Sequence, residues 1–200
     1  MTIPTSFSKI LGDETPDLEK LIARGACISW SPKNLGSWMV MKSMKWMVAN
    51  TKFRVFTAYS DPEARELGSI YQACSFIYLG KSSGAGKQYL DPRNENIGWF
   101  SDRHFRHRSM YRKYAVSLKI DNWEQYMKKY SPDWDKMPNG MKPMIKKELE
   151  KYKAECKERE AKPKHKYVYI MGKDKSERKK LQKMFEKHTK SYPYPKERGN

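Results

Sequence analysis

Tyr59 to Gly80 reads YSDPEARELGSIYQACSFIYLG, and this stretch decides the fold. Val55 to Tyr59, just upstream and overlapping it, is a β-rich run expected to be a buried strand. Asp61-Pro62 stops that strand, because proline has no N–H to give to a central ladder. Gly68 opens a short helix over Ser69 to Ser75. Phe76 to Leu79 then returns to strand character, closed by Gly80. The result is a strand–loop–helix–strand unit with Asp61 and Tyr71, ten residues apart, near element ends. Ligands bind at such ends in α/β folds. Structural readings stand beside this one: Asp61 as a turn former before proline, Tyr71 as a half-buried tyrosine beneath the sheet.

Working outward, Gly36 to Asn50 has helical spacing of Trp38, Met41, Met44 and Met47-Val48, and its Met-rich face, Met39 included, is expected in the core. Before it, Asp17 to Ala23 suggests a short helix capped near Thr15 or Asp17, and Ala26 to Trp30 a strand. After the central unit, Lys81 to Asn96 is rich in Gly, Ser, Pro and Asn and reads as a long loop. Helices are expected over Asp121 to Tyr130, Lys142 to Ala161 and Ser176 to Lys187, with a strand over Tyr167 to Met171.

Charge is the second strong signal. The 200 residues carry a net charge of +18. Residues 1–100 hold 12 Lys/Arg against 9 Asp/Glu, and residues 101–200 hold 29 against 14. An excess so concentrated favours a polyanion, since each neutralised phosphate releases counterions, although an anionic membrane surface draws on the same charge. SDRHFRHRSMYRK from Ser101 reads as a basic, aromatic-dotted strip: Arg103, Arg106 and Arg108 grip phosphates, and Tyr111, Phe105 or His104 stack on an unpaired base. An ordinary surface turn is the alternative. Three widely spaced cysteines give no disulfide framework and suit a reducing cytosol. No apolar run approaches the length of a membrane span and no secretory signal is visible, so a soluble cytoplasmic protein, without a membrane partner, is expected.

Two tempting motifs fail. Gly80 to Lys87 imitates a phosphate loop, but five residues instead of four separate its first glycine from Gly86-Lys87, and Gln88 stands where Ser or Thr belongs. Its glycines and the cations Lys81 and Lys87 still suit a nucleic-acid phosphate. Asp102, His104 and His107 lack a fourth partner and are interleaved with arginines that repel a cation, so no metal is expected.

The motifs together resemble the Mom-like DNA-modification proteins of bacteriophages, a divergent branch of the GNAT acyltransferase superfamily. Ser60-Asp61-Pro62, Gly68-Ser69-Ile70-Tyr71-Gln72-Ala73 and Tyr78-Leu79-Gly80 match the pattern S-D-P, G-x-x-Y-Q-A, Y-x-G. Pro32 to Trp38 is similar to a P-x-N-x-x-S-x segment, Ser101-Asp102-Arg103 to a recurrent S-D-R. Lys164 to Tyr169 and Tyr192 to Lys196 are similar to a closing strand and a P-Y-P-K tail. The resemblance spans about Ile22 to Phe105 and Pro163 to Lys196. Leu67 stands where the family often has histidine, and an early His-Tyr has no counterpart. About 25 residues precede Ala26, too few for three strands and a helix. The chain is therefore expected to be truncated, compacted, or completed by a second chain.

The resemblance implies an α/β (α+β) protein with a GNAT-like mixed central sheet flanked by helices and a basic helical C-terminal elaboration. Residues 1–100 would form the core, 101–162 a basic helical insertion, and 163–200 the closing strand, helix and tail. It implies modification of adenine N6 in DNA to a carbamoylmethyl-type adduct that masks phage DNA from host restriction. Asp61 would take an N6 proton, Tyr71 would protonate a leaving group, and Ser37 would hold a ligand at a helix start. An acetyl-CoA or related CoA donor would lie along Arg65, Gly68 and Ser69, a degenerate fragment of the superfamily's pyrophosphate motif. Two other functions fit the same residues: a GNAT-related acyltransferase acting on a protein or small amine, and a non-catalytic nucleic-acid-binding phage protein.

Overall fold

Ile22 ends one strand and Val55 to Ser60 forms the next, and the pairing of these two lays down the edge of the central sheet. The computed structural model describes residues 10–12, 16–23, 27, 30–82, 86–129 and 131–196. In chain order its elements are β1 (Glu19–Ile22), α1 (Leu35–Asn50), β2 (Val55–Ser60), α2 (Ser69–Ala73), β3 (Ile77–Lys81), β4 (Lys87–Leu90), β5 (Phe100–Ser101), α3 (Arg108–Ser117), α4 (Met141–Ala154), β6 (Lys157–Glu160), β7 (His165–Ile170) and α5 (Lys175–His188). The class is mixed α and β, with a mixed sheet flanked by helices, as expected.

The chain divides into two compact units: residues 1–84 with 162–200, and residues 85–161. The first contains a four-stranded sheet in the order β1-β2-β7-β3. β1 runs parallel to β2, and β7 lies antiparallel to both β2 and β3. Strand alternation gives the sheet two buried faces. On one, Phe56, Ala58, Phe76, Tyr78 and Tyr167 pack under Met44 and Val48 of α1 and Cys74 after α2. On the other, Val55, Val168 and Ile170 pack under Leu181 and Phe185 of α5, with Ile10 and Leu11. Burial on both faces is why β2 and β7 read as nearly continuous apolar runs. α5 is capped by Asp174, whose carboxylate accepts from the Glu177 N–H at 2.8 Å.

The second unit has a three-stranded antiparallel sheet, β5-β4-β6, and a cluster of Met110, Tyr111, Tyr114, Met137 and Ile145 between α3 and α4.

Several elements differ from expectation. Asp17 to Ala23 is not a helix: a 3₁₀ turn at Pro16–Leu18 leads into β1, whose parallel pairing with β2 overrides the local preference. Residues 26, 28 and 29 of the expected strand lie outside the described residues, as does Thr15. The expected loop after Lys81 contains β4. The helix from Lys142 stops at Ala154, and Lys157–Glu160 becomes β6, held to β4 although none of its four side chains is buried. Asp121 to Tyr130 shortens to a 3₁₀ turn over Trp123–Tyr126, and Tyr130 is outside the described residues. On α1, Met44 is buried and Met41 and Met47 pack against the core, but Trp38 and Met39 are 58% and 47% exposed.

Candidate functional site

Ser60 of the S-D-P motif and Gly68 to Tyr71 of the G-x-x-Y-Q-A motif meet at one place. A cavity of about 830 Å³ opens between α1, α2 and the ends of β1 and β2. Met39, Val40 and Ile70 give it apolar walls, while Ser60, Arg65, Glu66 and Tyr71 contribute polar groups.

The loop from Arg65 to Gly68 is fixed from behind. Gln72 Nε2 donates to the Leu67 carbonyl at 3.0 Å, and the Tyr167 hydroxyl donates to the same oxygen. Gln72 also donates to the Tyr167 hydroxyl at 3.2 Å. Gly68 has φ +75°, and a Cβ there would lie 2.6 Å from the Tyr167 ring and 3.1 Å from Ser60 Oγ. The motif's glycine and glutamine are thus both explained by packing against β7. Tyr71 is half-buried, its ring 5.6 Å from that of Tyr167 and 5.3 Å from that of Phe76. Burial, with Glu66 as the second cause, raises its phenol above the ordinary value, so it is a proton donor at neutral pH.

Ser60 is the residue that sequence reasoning missed. It is 2% exposed, it lines the cavity, and its Oγ has no hydrogen-bond partner among the described residues. A buried hydroxyl left unpaired costs about 1–3 kcal/mol, and a ligand in the cavity would relieve this cost. In the sequence its only signal is its place in Ser60-Asp61-Pro62, at the end of the strand.

Asp61 does not line the cavity. It ends β2, where its Oδ1 accepts from the Glu63 N–H at 3.0 Å and its Oδ2 pairs with Lys164 Nζ at 2.7 Å. Its turn-forming reading therefore holds, and the ion pair adds a role for Lys164, which precedes β7. Ser37 donates to the Asn34 carbonyl at 2.9 Å and steadies the start of α1. Arg65, Gly68 and Ser69 all border the cavity.

The expected nucleic-acid residues are dispersed. Lys81 ends β3 in the first unit; Lys87, Arg103, Arg106 and Arg108 belong to the second. Lys87 pairs with Glu158 at 2.6 Å, Arg106 with Asp102 at 2.6 Å, and Arg108 donates to the Lys129 carbonyl at 3.3 Å. Arg103 is exposed. The stacking expectation needs correction: Tyr111 is buried because α3 turns its aromatic residues inward, Phe105 is buried within the 3₁₀ turn Asp102–Arg106, and His104 is partly buried with its ring 4.2 Å from that of Phe100. Residues 83–85 of the glycine-rich loop are outside the described residues.

Among the described residues no three His, Cys, Asp or Glu side chains gather as a metal site. None of the described helices is long and apolar enough to cross a membrane.

No curated protein matches the chain at a significant level. A family model does match, that of the Mom protein family, over residues 17–196.

Proposed function

The chain belongs to the Mom protein family of bacteriophage DNA-modification proteins, and we propose that it alters the exocyclic N6 amine of adenine, using the cavity beside α2. The observation that carries this reading is the family match across residues 17–196, together with the convergence of the motif residues Ser60, Gly68 and Tyr71 on that cavity.

The adenine amine is a poor nucleophile, because its lone pair is delocalised into the ring. Bond formation at N6 must therefore be coupled to loss of an N6 proton, and Asp61, which follows Ser60 but lies outside the cavity lining, takes that proton through a bridging water. Lys164, 2.7 Å from Oδ2, fixes the direction of that carboxylate. The phenol of Tyr71 faces the opposite need: it stays protonated near neutral pH and gives its proton to the departing group. With a thioester donor the step would balance as follows: the N–C bond forms at the acyl carbon while its C–S bond breaks, the N6 proton passes towards Asp61, and the phenolic proton passes to the departing thiolate sulfur.

The donor class that fits the walls is a CoA thioester, which would supply an activated two-carbon unit. Met39, Val40 and Ile70 suit an apolar arm, Arg65 a phosphate, and the unpartnered Ser60 hydroxyl an acyl oxygen. Gly68 is excluded from direct phosphate contact on the side occupied by Tyr167. To reach N6 in a duplex the base must leave the stack, at a cost of about a few kcal/mol.

The test is mass spectrometry of nucleosides from DNA of cells expressing the chain, its Asp61→Ala variant or its Tyr71→Phe variant. A mass-shifted deoxyadenosine is expected with the unaltered chain and is lost in both variants. Unmodified DNA from cells that hold the soluble, unaltered chain would overturn the reading.

A further inference from the structure

One face of α1 is covered by none of the described residues. Trp38 and Trp46 are 58% and 62% exposed, and Lys42 and Lys45 beside them are exposed as well. Positions 38, 42, 45 and 46 fall on a single stripe of a helix with 3.6 residues per turn. The Lys42 ammonium already lies over the Trp38 ring, 5.6 Å from its centroid. α1 contains no Asp or Glu. Exposed indoles in such number on one helix signal a surface that is covered in use.

We propose that this stripe is the surface on which the DNA strand carrying the target base lies, with Trp38 and Trp46 stacking on unpaired bases and Lys42 and Lys45 meeting phosphates. The inference rests on the DNA-modification reading and adds the docking surface, which is not the arginine strip of the second unit. Two ammonium groups lying between two indole rings, in the order Trp38, Lys42, Lys45, Trp46, supply both the stacking faces and the phosphate contacts that an unpaired strand requires. The indoles sit eight residues apart, about 12 Å along the axis, the length of three or four stacked nucleotides. The stripe borders the cavity through Met39, which lies in line with Trp46 on the helix surface and lines the cavity. A strand held on the stripe has an extruded base within reach of Ser60 and Tyr71. An acid-free helix on a chain of net charge +18 has the charge complementarity that a polyanion requires.

The experiment is fluorescence anisotropy with a labelled single-stranded oligonucleotide across a salt series. It compares the full chain with the double variants Trp38→Ala/Trp46→Ala, Trp38→Phe/Trp46→Phe and Lys42→Gln/Lys45→Gln. All four positions are exposed, so melting temperatures are expected to stay unchanged. The alanine pair should weaken binding about tenfold or more at an unchanged salt slope, and the phenylalanine pair should recover much of it. The glutamine pair should reduce the slope of log K against log salt by about 1.4. Alanine variants that bind as tightly as the unaltered chain would overturn the surface. So would unchanged DNA affinity with lost binding to phosphatidylserine vesicles, which would assign the stripe to a lipid surface. Modified deoxyadenosine made by a chain whose tryptophans do not matter would leave the proposed chemistry standing without this surface. Tryptophan-dependent DNA binding with no modified nucleoside would do the reverse.

Discussion

Ser60 and Gly68 sit next to each other, and the backbone conformation of one and the empty valence of the other separate stability from function. Gly68→Ala places a methyl group 2.6 Å from the Tyr167 ring at φ +75°, and should cost roughly 2–4 kcal/mol, read from urea denaturation. Ser60→Ala removes a buried hydroxyl that has no partner among the described residues, so stability should hold or rise by up to about 1 kcal/mol while nucleoside modification falls. A Ser60→Ala variant that modifies DNA at the original level would remove the hydroxyl from the site. Asp61, Tyr71 and the glycine were legible in the sequence because each needs a particular residue type at a bend or element end. The strand of Tyr167 was legible too, but not its pairing beside β2, which sets Lys164 against Asp61 and Tyr167 against the Leu67–Gly68 loop from about a hundred residues away.

Among elements, β1 carries an unusual burden. Glu19 is 3% exposed on the face covered by α5; its Oε1 accepts from the Ile10 N–H at 3.1 Å, and its Oε2 has no partner among the described residues. Burial pushes its carboxyl up to about 7, although Lys166 on the same sheet face pulls the other way. The native state therefore binds a proton that the unfolded chain has released, and stability falls as pH rises from about 4.5 through about 7. This amounts to a few kcal/mol at most. His165, held below its ordinary value by burial, works in the opposite direction as pH drops below about 6.5. Comparison with Glu19→Gln cancels that histidine: the variant should gain Tm relative to the unaltered chain at pH 8 but not at pH 4.5. An equal Tm difference at both pH values would exclude the buried carboxylate as the cause. The same strand shows where pattern reading stops. EKLI has a helix former's composition, and only parallel pairing with VFTA makes it a strand. Long elements with strong periodicity, α1 and α5, were visible from spacing; β1, β4 and β6, each four residues long, depend on partners far away in sequence.

At the scale of the whole molecule, residues 85–161 leave and rejoin the first unit through a closed neck. Ser82 N–H donates to the Lys164 carbonyl at 2.7 Å, and the Lys164 N–H donates to Ser82 Oγ at 3.1 Å. Replacing residues 85–161 with a short Gly/Ser turn should leave the first unit folded, with the near-ultraviolet circular dichroism of a packed aromatic core and a cooperative melt. A non-cooperative melt would show that the two units fold as one. The tail clasps the far edge of the sheet: Tyr192 N–H donates to the Tyr78 carbonyl at 2.9 Å, Tyr194 Oη donates to the Phe76 carbonyl at 2.6 Å, and the Tyr192 ring lies against Gly80. The Y-x-G and P-Y-P-K motifs are thereby two sides of one contact. The order β1-β2-β7-β3 has a further consequence for a chain emerging from a ribosome. β2 and β3 are made early, yet the strand that belongs between them follows the whole second unit, which takes roughly 4–15 s to synthesise at about 5–20 residues per second. For that interval the nascent protein carries two open strand edges and an unsupported Leu67–Gly68 loop, vulnerable to sticking until β7 and its Tyr167 arrive to fill the gap.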